Sequence, residues 1–382
     1  MSGPLEGVRV IELAGLGPAP MTGMMLADMG AEVIRVERSA SLPPLQRRDV
    51  SFRGKRSIAL NLKDARGLDA LLRLLDTADV LLEGYRPGVT ERLGFGPEVC
   101  LERNPRLVYG RMTGWGQDGP LARTAGHDIN YIALAGALHA IGRPDEKPVV
   151  PLNLLGDMGG GGMLLAFGVV CALFEARGSG RGQVVDAAMI DGVAQMMWMF
   201  AGMQAVGAWD LERRGVNLLD GGAHFYDTYE TADGKSLAVG AIEPQFYAEL
   251  LTRLGLDAAS LPAQDDPAAW PELKAALAEV FRTKTREQWC ALLEGTDACV
   301  APVLSWNEAQ AHPHHRARGT FLEIDGVVQH APAPRFSRTV PGVPAGQRAP
   351  GSDGAVLLDE LGYSAAEIAR LTDAGVLKSP GR

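Results

Sequence analysis

Short β-branched runs separated by single helical stretches constrain this chain more than any other feature. Gly7–Leu13 (GVRVIEL) is one such run, ended by Gly15, and Ala31–Val36 (AEVIRV) is the next; Ala19–Met29 between them has helical apolar spacing. Ser57–Leu62, Val80–Glu83, Leu107–Met112 and Val184–Asp186 continue the series, with Ala65–Leu75 as a connecting helix. Strands spaced by one helix each demand right-handed crossovers and a mostly parallel sheet covered on both faces. The fold class is therefore α/β. Ala187–Val206 reads as one long Met-rich helix, buried or at a subunit contact.

After residue 210 the texture changes. Phe225–Tyr229 and Ser236–Val239 pair as a hairpin through Asp233-Gly234, helices follow near Pro244–Leu254, Trp270–Phe281 and Arg286–Leu293, and a strand closes at Ala298–Val303. The division expected is a large domain over 1–210, a small α+β domain over 225–330, and a C-terminal segment over 331–382 that returns to the large domain. A chain of 382 residues is long enough for two cores. A net charge of −9 argues against a general nucleic-acid binder. Cys100, Cys171, Cys290 and Cys299 form no CxxC and read as reduced thiols. The longest apolar stretch, near Met163–Phe174, is too short to span a membrane. The first residues lack a signal-peptide pattern and the last are not an SKL-type signal, so the expected location is the cytoplasm.

The opening unit imitates a dinucleotide site: strand, Gly15-Leu-Gly17-Pro-Ala-Pro20, helix, strand, then Glu37. Pro20 stands at the third glycine position and Pro18 sits within the turn, so amides that would face a pyrophosphate are missing. A tight turn opening a helix with prolines fits better than NAD binding. Residues 35–56 hold seven basic side chains (Arg35, Arg38, Arg47, Arg48, Arg53, Lys55, Arg56) against Glu37 and Asp49. Lys63, Arg86 and Arg92 follow in the same domain. Arginine forks suit phosphate, although charge counting alone favours a solvated loop. In Glu83–Arg92 (EGYRPGVTER), Gly84 and Gly88 allow close backbone approach, and the segment leaves a strand at the end where parallel sheets bind ligands.

Three titratable groups stand out. His127 (in GHDINY, 126–131) opens an apolar helix, and an imidazole at a helix N-terminus is held in its neutral, base-competent form more readily. Asp157 precedes four glycines, 159–162, which cost helix stability at about 1 kcal/mol each and imply close approach to something bulky. Glu243 ends a small-domain strand. Each also has a plain reading, as a helix cap or first-turn residue. His312-Pro-His-His315 reads as a solvated turn rather than a metal cluster.

At these residues the chain resembles the class III CoA transferases (CaiB/BaiF family), and within them the α-methylacyl-CoA racemases. The resemblance is carried by Gly7–Gly15, Val80–Gly94, Arg111–Gly119, Ala125–Tyr131, Pro151–Gly162, Gly182–Gly192, Leu219–Tyr229 and Gly240–Tyr247, in order over about residues 3–340. It implies a Rossmann-like large domain, a smaller α+β domain, and an interlocked homodimer whose sites lie between one chain's large domain and the other's small domain, so that a monomer is inactive. It implies CoA contacts at Arg38, Lys63, Gly84, Tyr85, Arg86, Gly88 and Arg92, with Asp128 and Tyr131 lining the site. It assigns His127 and Asp157 as bases on opposite faces of the substrate α-carbon and Glu243 as a hydrogen-bond partner of His127. Two such bases carry a 1,1-proton transfer through an enolate, with donors expected among backbone amides near Asp157. The expected activity is interconversion of (2R)- and (2S)-2-methylacyl-CoA, without metal or redox cofactor, CoA being part of the substrate. The alternatives are a CoA transferase using Asp157 as nucleophile, and a non-catalytic acyl-CoA-binding protein. Neither nucleic acid nor membrane is an expected partner, and Arg47, Arg48, Arg53 and Arg56 receive no role.

Overall fold

Residues 2–38 and 48–380 are described by the computed structural model; Arg47 lies outside them. Strands β1 (Arg9–Leu13), β2 (Glu32–Glu37), β3 (Lys55–Leu60), β4 (Val80–Glu83), β5 (Val108–Thr113) and β6 (Val184–Ala188) form one parallel sheet in the order β3-β2-β1-β4-β5-β6. Every strand read from the β-branched runs is present, shifted by at most a few residues. Two cores cover the faces. Leu71, Leu74 and Leu75 of the Ala65–Asp76 helix pack with Ile11, Ile34, Ile58 and Leu81 on one side. Leu26 of the Pro18–Asp28 helix and Leu165 and Val169 of the Leu164–Ser179 helix pack with Val10, Val33, Val80 and Val108 on the other.

The smaller unit holds an antiparallel sheet of β7 (Tyr226–Glu230), β8 (Ser236–Gly240) and β9 (Val300–Pro302) in that order. The helices Pro244–Leu254, Trp270–Phe281 and Arg286–Leu293 bury Leu250, Leu277, Phe281 and Trp289 against it. The compact units divide the chain differently from the expected boundaries. Gly136–Pro151 and Met197–Ala317 form the smaller unit, and Met1–Ala135, Leu152–Met196 and Arg318–Arg382 the larger. Residues 136–151 join the smaller unit because Arg214 donates to the carbonyls of His139 and Glu146.

From Arg318 on the chain belongs to the larger unit, so the last stretch expected in the small domain lies outside it. β10 (Phe321–Ile324) and β11 (Val327–His330) make a hairpin, and β12 (Leu377–Lys378) adds antiparallel to the outer edge of β3. Leu357, Leu358, Leu371 and Val376 complete the large unit's first core.

Two further readings are corrected. The Met-rich stretch is not one helix: it breaks at Met197 into Met189–Met196, which buries Met189, Gly192 and Val193, and Trp198–Ala205, which buries nothing. The apolar stretch near 163–174 belongs to a continuous helical segment, Leu154–Ser179, whose 26 residues and mean hydropathy of 1.7 are enough by length and composition to cross a membrane. In this fold its inner face (Leu165, Ala166, Val169, Ala172, Ala176) is buried in the core.

The basic stretch is mostly ion-paired structure. Arg53 is buried on Asp28 (2.6 Å) and Gln329 (2.8 Å), and Lys55 on Glu12 (2.5 Å). Arg56 pairs with Glu32 and Glu360, each at 2.7 Å. Arg35 stacks 3.4 Å from the Phe52 ring centroid and pairs with Glu37 at 3.1 Å. Neither the solvated-loop reading nor a phosphate cradle describes these four. Because Glu37 is buried against Arg35, the dinucleotide imitation lacks its acidic end; Gly17 (φ 74°) opens a helix whose first turn holds Pro18 and Pro20.

Candidate active site

The site is built at the carboxyl ends of the central strands, where helices have not yet closed over the sheet. β4 runs into the Gly84–Gly88 turn and β5 into the long loop that ends at His127. Between them lies a cavity of about 250 Å³ bordered by Gly84, Tyr85, Arg86, Met112, Trp115, His127 and Met189, among others. Tyr131 forms its inner wall, standing edge-on to Trp115 with ring centroids 4.7 Å apart. Gly114 and Gly126 exist for this aromatic pair: a Cβ at Gly114 would lie 2.0 Å from the Tyr131 ring, and one at Gly126 2.8 Å from it.

His127 occupies the N-cap of the Asp128–Leu134 helix and is exposed. Its backbone N–H donates to Asn130 Oδ1 (3.0 Å), and its carbonyl accepts from Asn130 N–H (2.8 Å). Asn130 thus closes the first turn with both its side chain and its amide. Asp128 is buried and accepts the Asp157 amide on Oδ1 at 2.6 Å, leaving Oδ2 with no hydrogen-bond partner among the described residues. That bond is possible because residue 156 is glycine, since a Cβ there would sit 2.5 Å from Asp128 Oδ1. It also removes the Asp157 amide from the donors expected for an enolate oxygen.

Asp157 lies in a π-helical segment, Leu154–Met163, a wide-turn form that recurs at functional sites. Asn153 Nδ2 donates to Asp157 Oδ2 at 3.0 Å. Burial pushes the Asp157 carboxyl up; the Asn153 bond opposes this, the Asp128 charge adds to it, and the His127 imidazole works against it. These influences place Asp128, His127 and Asp157 in one electrostatic neighbourhood. Tyr131 is pushed up first by burial and then by Asp157, with Arg86 opposing.

The four glycines after Asp157 do signal close approach, but to protein. A Cβ at Gly160 would lie 2.9 Å from Met189 O, and one at Gly162 2.9 Å from Met21 Sδ. A Cβ at Gly192 would come within 2.0 Å of Gly160 O. The glycines seat the π-helical turn between two helices and so fix where Asp157 stands.

Of the expected CoA contacts, Gly84, Tyr85 and Arg86 border the cavity. Gly88 (φ 83°) begins the short Val89–Leu93 helix, and Arg92 Nη1 folds back to 3.4 Å from where a Gly88 Cβ would be. Arg38 and Lys63 are exposed; the Arg38 carbonyl accepts from Lys378 Nζ at 3.1 Å. Neither Asp128 nor Asp157 borders this cavity; Asp128 is the support of Asp157. Glu243 is the exposed N-cap of Pro244–Leu254 in the smaller unit, makes no side-chain cap bond, and raises the nearby Cys299 thiol after burial has done so. Trp115, Met112, Met189 and Asn153 were not singled out as site residues by the sequence. Only the position of Gly114–Gly126 after a strand end hinted at the first.

The family model for CoA-transferase family III matches residues 5–352. An α-methylacyl-CoA racemase of Mus musculus is 50% identical over 379 residues, covering 98% of each chain. The α-methylacyl-CoA racemase of Homo sapiens is 47% identical over 380 residues, again covering 98% of each. Among solved structures, a CaiB/BaiF family protein from Brucella suis aligns with a TM-score of 0.81 at 26% identity, covering 94% of this chain and all of that one. A parallel sheet with its cavity at the strand ends, and a match that runs through both compact units, lead to one conclusion: the chain belongs to CoA-transferase family III.

Proposed function

We propose that this chain is a racemase that interconverts (2R)- and (2S)-2-methylacyl-CoA thioesters by 1,1-proton transfer. The observation that carries the reading is the half-buried Asp157 carboxylate, its ionisation shifted upward, within electrostatic reach of exposed His127 beside a cavity. The named activity of relatives at about 50% identity supports it. One base removes the α-proton, the planar enolate forms, and the other base returns a proton to the opposite face. A carboxylate whose affinity for protons is raised by desolvation is better suited to that exchange than a solvated one. His127 and Asp157 take these roles, Arg38, Lys63, Arg86 and Arg92 meet the CoA phosphates, and no metal or redox cofactor takes part.

The same reading includes an interlocked homodimer in which Glu243 of one copy hydrogen-bonds His127 of the other. Its support is apolar surface left uncovered in each unit: Phe167 and Phe174 are 68% and 82% exposed, and Trp198 is 73% exposed on a helix that buries nothing. Patches of this kind mark association surfaces.

One incubation tests the activity. A single epimer of a 2-methylacyl-CoA is turned over in deuterated water, with α-deuterium and chirality followed by mass spectrometry and NMR. The expected result is deuterium at Cα together with the other epimer. Movement of CoA to an added carboxylic acid, with Cα still protonated, replaces the racemase by a transferase acting through Asp157. Glu243→Ala and the oligomeric mass in solution test the dimer: a fully active monomer would overturn it.

A further inference from the structure

The Gly84–Gly88 turn contributes Gly84, Tyr85, Arg86 and Pro87 to the cavity. Beneath it, on β5 and in register with Glu83 of β4, lies the buried Arg111. Its Nε donates to Glu83 Oε1 at 2.8 Å, its Nη1 to Glu91 Oε1 at 2.9 Å, and its Nη2 to Thr90 Oγ1 at 3.3 Å. Glu83 is fully buried, and its second oxygen accepts the backbone N–H of Tyr85 at 2.7 Å. Glu91 and Thr90 belong to the Val89–Leu93 helix, which also carries Arg92. One guanidinium therefore holds the residue before the turn and the helix after it, while Arg111 itself borders no part of the cavity.

We propose that Arg111 is the positioning residue for the CoA-gripping turn, acting through Glu83 and Glu91 to aim Tyr85, Arg86 and Arg92. The inference rests on the CoA-thioester reading above and adds a residue that does not touch the substrate. A planar fork presents donors in fixed, widely spaced directions and so spans acceptors on two elements, a geometry that the compact ammonium of lysine does not reproduce. A bare structural ion pair needs only Glu83; the second arm, reaching across the turn to Glu91, is what a positioning device adds. The expected signature is a change in how tightly the nucleotide end is held, with the chemistry at Cα untouched.

The test compares a 2-methylacyl-CoA with the matching acyl-pantetheine thioester, which lacks the nucleotide, in the α-proton exchange assay. For Arg111→Lys the KM of the CoA thioester rises about tenfold, the effect of losing one or two charge-assisted hydrogen bonds that order the turn. For Glu91→Gln, a surface change that leaves the buried pair intact, it rises about threefold. In both variants kcat, and kcat/KM for the pantetheine thioester, stay near wild type. Equal losses on the two substrates, a fall in kcat, or an unchanged KM in folded Arg111→Lys would overturn the proposal. If Arg111→Lys does not fold, Glu91→Gln decides it. Calorimetric titration with free CoA reads the same clamp without turnover, so absence of exchange in the wild type would sink the racemase while leaving weaker CoA binding by the variants as the criterion here.

Discussion

Burial shifts Asp157 of the larger unit upward and His224 of the smaller unit down to about 4. Each side chain has one hydrogen-bonding neighbour among the described residues, Asn153 Nδ2 for Asp157 (3.0 Å) and Tyr247 Oη for His224 (2.9 Å). Their surroundings differ. Asp157 is half-buried in an irregular helix beside exposed His127. His224 is fully buried, walled by Phe225 and Tyr247, and its carbonyl accepts from Tyr229 Oη. A displaced ionisation is shared by groups that react and groups that merely fold, so access and a second titratable neighbour decide between them.

The largest effect that sharpens this contrast is on rate. Asp157→Asn and His127→Ala are each expected to lower α-proton exchange by about 10²–10⁴-fold, the usual contribution of a positioned acid or base. Because burial raises the Asp157 carboxyl, its charged form is a burden to the fold at neutral pH, and Asp157→Asn is expected to leave the melting temperature unchanged or higher. His224→Gln should do the reverse, altering stability while exchange per folded molecule stays near wild type. An exchange rate that fell with His224 and survived Asp157→Asn would break the comparison.

The next effect is on folding in acid. The unfolded chain takes up a proton on His224 near the ordinary 6.5, whereas the folded chain resists it down to about 4. Stability is therefore fully present above pH 6.5 and lost as pH falls toward 4, by about 3 kcal/mol in all. Burial comes first and the Lys274 charge adds to it, and Nδ1 has no hydrogen-bond partner among the described residues to compensate protonation. Urea unfolding of the wild type and of His224→Phe across this range measures the slope. A wild-type slope no steeper than the variant's would remove His224 from the account.

Gly192→Ala is expected to cost about 3 kcal/mol, since its Cβ would meet the Gly160 carbonyl at 2.0 Å and backbone must move. Activity per folded molecule should fall as well, because the displaced turn carries Asp157. Thermal melts paired with exchange rates check this, and a stable, fully active variant would show that the glycines are not what seats Asp157.

How much of this was legible follows the same line. The β-branched runs fixed the strands because their periodicity is local, and the EGYRPG turn was visible because glycine, proline and arginine cluster after a strand end. The pairing of Arg53 with Asp28, 25 residues away, and with Gln329, 276 residues away, has no local pattern, so a structural charge looked like a ligand-binding one. The same limit hid Arg111, whose partners lie on two other elements, and Leu357 and Val376, whose packing on the sheet depends on a late strand reversing direction. The four glycines imply a close approach without saying to what, since sequence alone does not distinguish a helix from a thioester.

The finest test of the contrast concerns Asn153. Its amide hydrogen bond stabilises the charged form of Asp157 and partly offsets the desolvation that raises it. Asn153→Ala removes that offset, so the carboxyl moves further up. In the direction where Asp157 must accept the α-proton it has to be ionised first, and the acid limb of kcat/KM against pH therefore moves to higher pH. In the opposite direction Asp157 must hold a proton, and the pH range of that protonated form widens. The expected shift is a few tenths to about one pH unit, in proportion to a single hydrogen bond to a charged group. The two directions are measured separately, starting from each epimer. A limb that stays in place for both epimers would mean that Asp157 does not exchange the proton, and that its displaced ionisation, upward where that of His224 is downward, is only a consequence of packing.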